Sequence, residues 1–597
     1  MFKIIIEFFS LLTPSQRKQF YALQILIVIM TFVEILSILS IVPFMALIGD
    51  ISILEKNNLL TALYLKSNLE EYEFVFYTGI FVLVSLTIAA IVSIYIAWRL
   101  AMFAPKIGAE IAHRLYSYYL DKDLLFHTSG SSSYLTKKIA IETERVYQGI
   151  LSPLMQMNAR IVLVFSIVFI MFLYDPIVII ISLIVFSTVY IILFKFVRTR
   201  LEKNGQNISN MLSERFRLMS DSFGGIKDVL LLGRSNNFKK IFSRTSNKLA
   251  NSEGNNIAIG LVPRYFMELI AFGTMIVLVL YLIKTSQGDL SLILPIISVY
   301  ALAGMKLLPA LLSIYSCAAT VKGNLSAYEA IREDLKNTNL ASIPLIKDDH
   351  NMGFKNNEIC LKEVTFTYPG KKNPTLQNLS LTIKSKAVVG IVGTSGSGKS
   401  TLIDIITGLI KPQKGEVIID GIPLAKHNLR QWQNKIGYVP QTIFLTEGTI
   451  AENVAFGIPK EFIDYEQVKK ALKLANLDEF VSKLGNGVYS KVGERGVQIS
   501  GGQRQRVGIA RMLYYKTEVL IFDEATSALD GITEKVIMDA IHDFTGQKTL
   551  IIIAHRLKTI QKCDEIFMIE KGHIIDMGTY QYLLENNEQF KKMSDHA

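Results

Sequence analysis

Charged residues and cysteines are both scarce in this chain of 597 residues. Only 19% of the residues are Asp, Glu, Lys or Arg, whereas about 25% is usual in soluble domains. The three cysteines, Cys317, Cys360 and Cys563, are too far apart for a zinc knuckle and odd in number for a disulfide framework. Low charge combined with 50% hydrophobic residues excludes an ordinary soluble protein and predicts a large membrane portion.

Signals for cleavage and for repeat architectures are also lacking. Residues 1–12 are largely apolar, but no small-residue cleavage site follows them, which predicts a short helix on the inner membrane face. No repeat of fixed period argues for a solenoid. The formal net charge is +11, which in a chain with long apolar stretches indicates basic cytoplasmic loops. We therefore expect no nucleic-acid partner.

Six apolar stretches are long enough to span a membrane, since a helix needs about 20 residues to cross the hydrocarbon core. The third and fourth stretches are separated only by Tyr174, Asp175 and Pro176, so they should form a tight hairpin. The six stretches are residues 19–48, 74–100, 149–173, 177–197, 257–283 and 290–317.

Basic residues indicate how these spans are oriented. The two longest intervening stretches, 101–148 and 198–256, are polar and rich in Lys and Arg, so the positive-inside rule places both in the cytoplasm. An even number of spans then brings both termini to the cytosol. Both loops are poor in proline and keep helical periodicity, which predicts spanning helices that extend well beyond the bilayer. Residues 1–336 are predicted to form this transmembrane domain.

The composition changes after residue 336. A polar linker is predicted for residues 337–357, and residues 358–597 contain short strands that alternate with helices, the pattern of an α/β domain. The predicted fold is therefore an α-helical six-span transmembrane domain followed by an α/β domain.

A glycine-rich phosphate-binding loop opens the α/β domain. It follows a strand predicted for residues 387–392, and its glycines let backbone N–H groups approach phosphate oxygens at a helix N-terminus. Lys399 is predicted to contact the terminal phosphates and the Ser400 hydroxyl to ligate Mg²⁺. A turn without nucleotide is the alternative, which the full motif and its flanking strand disfavour. The predicted phosphate-binding residues are Gly393, Ser395, Gly396, Ser397, Gly398, Lys399, Ser400 and Thr401.

Two carboxylates end a second apolar strand. Residues 519–522 are apolar and are followed by Asp523 and Glu524, as expected where a buried parallel strand reaches the carboxyl edge of a sheet. Asp523 is predicted to hold Mg²⁺ and Glu524 to activate the attacking water as general base. Many strands end in acids, so this prediction depends on the phosphate loop upstream.

Between these two motifs, Ser500-Gly501-Gly502-Gln503 resembles the signature motif of the ABC transporter superfamily. The surrounding elements occur in the order typical of that family, including a segment at residues 492–496 that is similar to its exporter-specific loop. Each has a structural alternative when taken singly: Tyr368 could be a packed strand residue, Gln441 a turn residue and His555 a residue at a strand end. By this resemblance Tyr368 stacks on adenine, Gln441 senses Mg²⁺ and water, Asp530 lies in the loop joining two ATPase domains, and His555 contacts the γ-phosphate.

The resemblance implies an exporter-type half-transporter that works as a homodimer. In this family two ATPase domains face head to tail, and each ATP is held between Lys399 of one copy and Ser500 of the other. The implied ligands are ATP and Mg²⁺. The implied location is a bacterial inner membrane, with the ATPase domain in the cytoplasm.

Two basic residues within the predicted spans are candidate substrate residues, because burying charge in the bilayer is costly. Arg264 and Lys306 are predicted to lie at inner-leaflet depth, where they could bind a phosphate or pyrophosphate headgroup. The alternative is that Arg264 pairs with Glu268 at i,i+4 while Lys306 extends to the cytosolic surface.

Three segments resemble bacterial lipid-linked oligosaccharide flippases: residues 262–264, 306–309 and 50–73. This resemblance implies an ATP-driven exporter or flippase that moves a lipid-linked or amphipathic substrate, best a lipid-linked oligosaccharide, from the inner to the outer leaflet. The alternatives are a multidrug or lipid A exporter, a peptide exporter, an ATP-gated channel or a regulatory ATPase. Direction of transport stays open.

Overall fold

A computed structural model of the chain describes residues 6–7, 9–49, 58–67, 69–174, 176–285, 290–340, 354–524, 531–554 and 556–595. It divides into two compact units. The first comprises Met1–Lys122 and Phe126–Ser342, and the second comprises Asp123–Leu125 and Ile343–Ala597. Part of the predicted linker, residues 341–353, lies outside the described residues, and the last helix of the first unit continues to Leu340.

The first span, predicted for residues 19–48, is formed by two helices. It consists of α1 (Pro14–Leu39) and α2 (Ile41–Gly49), which are interrupted at Ser40. Pro43 explains the break, because its nitrogen carries no hydrogen to bond the carbonyl four residues earlier and its ring clashes with that carbonyl. A short helix, α3 (Asn58–Ser67), follows in the outside segment.

The spanning helices extend beyond the bilayer, as predicted. Helix α4 (Glu71–Leu120) runs without interruption for 50 residues. At 1.5 Å per residue this is about 75 Å of helix, more than twice the roughly 30 Å of a hydrocarbon core. The helices that form the remaining spans, with their extensions, are α8 (Ser152–Tyr174), α9 (Pro176–Gly224), α11 (Ser235–Thr285) and α12 (Leu290–Leu340).

Shorter helices connect these long ones. Two π-helical segments, Lys138–Glu142 and Tyr147–Leu151, precede α8 and flank a single α-helical turn. The short helices are α5 (Leu124–Ser129), α6 (Ser132–Lys137), α7 (Thr143–Val146) and α10 (Ile226–Leu231).

Six of the described helical stretches are long and apolar enough to cross a membrane. Their outer faces carry large apolar side chains that are open in the single chain, such as Phe165, 72% exposed, and Phe196, 79% exposed. Exposed apolar surface on this scale would cause aggregation in water but is ordinary against lipid tails. The prediction of a six-span helical domain is confirmed.

The second unit contains two β-sheets. The smaller sheet is antiparallel, with strand order β2-β1-β4-β5. The larger has the order β10-β9-β3-β8-β7-β6, in which β10 pairs antiparallel and the other strands pair parallel. The strands are β1 (Ile359–Phe366), β2 (Leu376–Ile383), β3 (Val388–Val392), β4 (Lys414–Ile419), β5 (Ile422–Pro423), β6 (Ile436–Val439), β7 (Val519–Asp523), β8 (Thr549–Ile553), β9 (Glu565–Glu570) and β10 (His573–Gly578).

Strands β3, β7 and β8 are buried along their whole length. Each is nearly continuous in Val, Ile and Leu rather than alternating, because helices cover both faces of a parallel sheet. Strand β3 begins at Val388, one residue later than predicted. The helices of this unit are α13 (Lys399–Ile406), α14 (Leu429–Gln433), α15 (Ile450–Val454), α16 (Tyr465–Leu474), α17 (Asp478–Ser482), α18 (Gly501–Tyr514), α19 (Gly531–His542), α20 (Tyr580–Asn586) and α21 (Glu588–Asp595).

Candidate nucleotide site

One edge of the larger sheet brings the phosphate loop and the two carboxylates together. Strand β8 lies between β3 and β7, and Ile553 of β8 pairs with both Ile391 of β3 and Asp523 of β7. The carboxyl ends of β3 and β7 are therefore two strand spacings apart, or about 10 Å. Chain segments more than 120 residues apart meet at this edge.

The phosphate loop has a backbone that only glycine can adopt at its closest contacts. Gly398 has a φ of +108°, and a Cβ there would approach the Thr375 carbonyl oxygen at 2.9 Å. A Cβ on Gly393 would come within 2.1 Å of the Ile569 carbonyl oxygen. Helix α13 begins directly after Gly398, so its N-terminus opens on the loop and favours an anion there.

The Lys399 side chain lies inside the phosphate loop, where it contacts backbone carbonyls. Its Nζ donates hydrogen bonds to the carbonyl oxygens of Gly393, at 2.8 Å, and of Thr394, at 3.1 Å. Burial lowers the pKa of Lys399, while the carboxylates of Glu524 and Asp523 act in the opposite direction. A nearby hydroxyl, Ser397 Oγ, is buried without a hydrogen-bond partner among the described residues. A buried unpaired polar atom is costly, so the Ser397 hydroxyl fits a loop that receives phosphate oxygens.

Asp523 lies at the end of β7 and is 7% exposed. Burial raises its pKa, and so does the neighbouring Glu524, whereas the Tyr438 hydroxyl and Lys399 lower it. The Tyr438 hydroxyl donates to Asp523 Oδ2 at 3.2 Å. Asp404, on α13, is also near, and burial together with Asp523 raises its pKa to about 6.

Tyr438 and Asp404 were not predicted from the sequence. Asp404 follows Ser400 by four residues on α13, so the two share a helix face, and this spacing could have pointed to it. Tyr438 reaches Asp523 only because β6 pairs with β7. No local pattern in the sequence reveals that pairing.

Glu524 is held in an unusual backbone conformation beside Gln441. Its φ is +50°, in the left-handed region, which costs about 1–2 kcal/mol for a residue with a side chain. The Gln441 Nε2 donates to Glu524 Oε2 at 2.6 Å, and the Glu524 backbone N–H donates to the Ile553 carbonyl at 3.2 Å. The structure thus brings together two of the three predicted catalytic residues.

Tyr368 is half-buried at the other side of α13. Its hydroxyl lies 3.2 Å from Thr401 Oγ1, and its ring packs edge-on against Phe366 with 5.0 Å between centroids. The resemblance to ABC transporters implies that Tyr368 stacks on adenine, and this role stays a prediction.

The signature residues form a well-capped helix start. Ser500 is the N-cap of α18, its hydroxyl accepts the Gln503 backbone N–H, and the Gln503 side chain accepts the Ser500 N–H at 2.8 Å. Gly501 and Gly502 begin the helix. Within the described part of the chain, no hydrogen bond or ion pair joins Ser500–Gln503 to the phosphate loop.

Two predicted site residues, Asp530 and His555, lie outside the described residues. Their roles stay predictions. Ser395 and Ser400 are exposed on the loop and on the first turn of α13, where hydroxyls are open to a ligand.

The two candidate substrate residues differ in their surroundings. Arg264, 60% exposed, pairs through Nε with Glu268 Oε1 at 2.7 Å, which is the pairing named as the alternative. Lys306 is exposed on α12, and no ion pair to it is present among the described residues. Whether either residue binds substrate stays a prediction.

The fold and the site define a class: a membrane domain of six spanning helices joined to a P-loop ATPase domain. Residues 20–306 match the family model described as ABC transporter transmembrane region, and residues 376–527 match the family model described as ABC transporter. The chain belongs to the ABC transporter family. It is an ATP-hydrolysing, exporter-type half-transporter, an integral protein of the bacterial inner membrane with its ATPase domain in the cytoplasm.

Similar proteins extend along most of the chain. It is 30% identical over 490 residues to the ATP-dependent lipid A-core flippase of Photorhabdus laumondii, covering 82% of this chain and 83% of the relative. It is 30% identical over 493 residues to the protein of the same name from Escherichia coli K12, with the same coverage. A solved bacterial Atm1-family ABC exporter with ATP bound has the same fold, with a TM-score of 0.78, 22% identity, and coverage of 97% of this chain and 98% of that chain.

Proposed function

We propose that this chain, as a homodimer, uses ATP to move a phosphate-bearing glycolipid of the lipid A class from the inner to the outer leaflet. The observation that carries the substrate class is the 30% identity to lipid A-core flippases over 82% of the chain. The sequence motifs favour a lipid-linked oligosaccharide as substrate and leave lipid A as an alternative. The lipid-linked oligosaccharide is retained as the second candidate, because residues 262–264, 306–309 and 50–73 resemble flippases for such lipids.

The position of the signature helix supports the proposal of two copies. Ser500 and the start of α18 have no hydrogen bond to their own phosphate loop within the described residues. If a second copy presents its Ser500 to the loop holding Lys399, each nucleotide is enclosed by groups from both copies. ATP can then favour closure only as far as it contacts the closed state better than the open one.

The residues at the sheet edge are suited to a hydrolysis step with a metal. Mg²⁺, when bound, neutralises charge on the phosphates, and Ser400, Asp523 and Gln441 would hold it, with the substrate phosphates supplying further ligands. Lys399 positions the terminal phosphates. Glu524, oriented by Gln441, accepts the proton of the attacking water.

Arg264 is a candidate for the headgroup. Its Nε is occupied by Glu268, but a guanidinium carries five N–H donors in a planar fork, and no contact of the terminal nitrogens is present among the described residues. A phosphate could therefore be bound in a bidentate manner while Glu268 holds the side chain in place.

Reconstitution into liposomes tests this proposal. Purified protein with its ATPase domain outside would be given lipid A-core or a lipid-linked oligosaccharide in the outer leaflet, with Glu524→Gln protein as the control. We expect lipid A-core to accelerate ATP turnover and to become protected from an outside enzyme only with wild-type protein. Protection of the oligosaccharide lipid alone would favour the second candidate. If neither lipid is protected, the proposal is wrong, and ion flow through Glu524→Gln protein with ATP bound would indicate a channel.

A further inference from the structure

An apolar cavity lies within the membrane domain, between α8, α9, α11 and α12. Its volume is about 680 Å³, in the range of pockets that hold small ligands. It extends along α12 from Tyr300 to Ile314, which corresponds to about 21 Å of helix. An elongated shape of this kind suits a hydrocarbon chain better than a compact molecule. Its lining includes Met171, Ile179, Phe186, Met267, Met275 and Leu307.

The lining offers little to water. One of its few polar side chains, Thr274, donates its hydroxyl to its own helix at the Ile270 carbonyl, 2.7 Å away. An empty cavity of this size would forfeit the dispersion contacts of its lining. At this depth the bilayer supplies acyl chains, whose apolar surface matches that of the lining.

Arg264 is not one of the lining residues, but it lies next to them along α11. Arg264 precedes the lining residue Met267 by three positions and Ala271 by seven, so it lies on the same face of α11, one turn toward the cytosol. Counting back from Thr285, the outer end of α11, Arg264 is about 32 Å along the helix. That distance is close to the roughly 30 Å thickness of a hydrocarbon core, so Arg264 is at the level of the inner-leaflet headgroups.

The arrangement is thus amphipathic: a guanidinium at headgroup depth with an apolar slot extending outward from it. Neither cation is a lining residue, but Lys306 lies in the middle of the lined stretch of α12, Tyr300 to Ile314, whereas Arg264 lies beyond the first lining residue of α11. Lipid tails are as apolar as the lining, so burial alone gives no preference for one lipid over another. A preference for one lipid over another must therefore come from the shape of the cavity and from the positive charge of Arg264 beside it.

We infer that this cavity binds one acyl chain of the transported lipid, with a phosphate of the same lipid on the terminal nitrogens of Arg264. This inference rests on the proposed function and adds where the lipid tail is held. The cavity is built from helices of one chain, so each copy carries its own acyl-chain site.

Two glycine substitutions provide a matched test. Gly304 lines the cavity, whereas Gly273 on α11 does not, and a Cβ added at either meets no atom within 4 Å. Gly304→Trp should therefore fill the cavity, and Gly273→Trp should leave it open. The probe is phosphatidic acid with a photoactivatable diazirine in its acyl chain, added to full-length protein in phosphatidylcholine vesicles. The same diazirine chain on diacylglycerol, which has no phosphate, is the uncharged comparison.

We expect the phosphatidic-acid probe to crosslink to cavity residues at least tenfold less in Gly304→Trp than in wild type, and equally in Gly273→Trp. Arg264→Ala should reduce labelling by phosphatidic acid to the level of the diacylglycerol probe. Unlabelled lipid A should reduce labelling by the phosphatidic-acid probe, even though the phosphatidylcholine of the vesicles, present in excess, does not. Equal labelling of wild type and Gly304→Trp, or no effect of lipid A, would overturn the inference.

The outcome is separable from that of the proposed function. Failure of lipid A-core to be flipped, with labelling still blocked by Gly304→Trp and by lipid A, would reject the transport proposal and leave the acyl-chain site in place. Flipping that is unchanged in Gly304→Trp, with no labelling of the cavity, would reject the site and leave the transport proposal in place.

Discussion

Gln441 Nε2 donates a hydrogen bond to Glu524 Oε2 at 2.6 Å. The donor follows β6 and the acceptor follows β7, two strands that pair in parallel. Since Glu524 also has a left-handed backbone at φ +50°, its carboxylate is directed by both its own backbone and the Gln441 amide. We predict that this pair acts on a water molecule beside the phosphate loop.

Glu524→Gln should lower ATP turnover by about 10²–10⁴-fold, the usual contribution of a general base, because an amide cannot accept the proton. Nucleotide binding should persist, since Lys399 and the loop are untouched. Phosphate release and retention of radiolabelled ATP measure the two effects. Glu518→Gln is the matched control at the opposite end of β7. Full turnover in Glu524→Gln would contradict the assignment.

Gln441→Ala should lower kcat more than it lowers nucleotide affinity, because it removes the group that orients Glu524 while Ser400, Asp523 and Lys399 remain to hold Mg²⁺ and phosphate. Misplacement of a reacting group by about 1 Å can cost roughly 10²-fold in rate. Steady-state kinetics at saturating ATP, together with equilibrium binding to Gln441→Ala protein, separate the two quantities. A loss of affinity as large as the loss of rate would mean that Gln441 acts mainly in binding.

Lys399→Ala should weaken ATP binding about tenfold to hundredfold, the equivalent of one hydrogen bond to a charged group at about 1.5–3 kcal/mol. Without nucleotide, the Lys399 Nζ donates hydrogen bonds to the carbonyl oxygens of Gly393 and Thr394. When ATP binds, we expect it to donate to the phosphates instead. Lys384→Ala, an exposed residue between β2 and β3, is the control and should bind as wild type. Fluorescent-nucleotide titration is the measurement, and equal affinities in the two variants would contradict the role.

Glu142→Gln should destabilise the membrane domain by about 3–5 kcal/mol, the cost of breaking a buried ion pair. Glu142 is fully buried, contacts Lys137, and accepts from Arg145 Nη1 at 2.9 Å. Arg145 in turn donates to Asn324 and Ser326 of α12 at 3.2 and 3.3 Å. The measurement is Tm in detergent, with the exposed Glu144→Gln as control. A Tm equal to that of the control would show that the cluster contributes nothing to stability.

Cys563 should resist alkylation in the folded ATPase domain. Burial, with a smaller effect of Asp564, raises the pKa of the Cys563 thiol to about 12, so almost none is thiolate at pH 8, and thiolate is the reactive form. Cys360 is partly exposed and should be labelled first. Maleimide labelling with mass-spectrometric site assignment measures both, before and after unfolding in urea. Labelling of Cys563 at the rate of Cys360 would contradict the burial.

Several features could be predicted because they depend on residues close together in the chain. Span length and loop charge predicted the helical domain, and the loop from Gly393 to Thr401 predicted the start of α13. Pro43 could have predicted the break at Ser40, but the span was identified from its apolar length alone, which does not take proline into account. The Arg264–Glu268 pair was an open alternative, because i,i+4 spacing allows such a pair without requiring it.

The sequence alone determined that the chain has six apolar spans and a phosphate loop, because apolar length and glycine spacing are local properties of the backbone. Only the tertiary structure decided that Tyr438 contacts Asp523, that Arg145 contacts α12, and that four helices line an apolar cavity near Arg264. These contacts depend on which strands and helices become neighbours, and packing of the whole domain selects those neighbours.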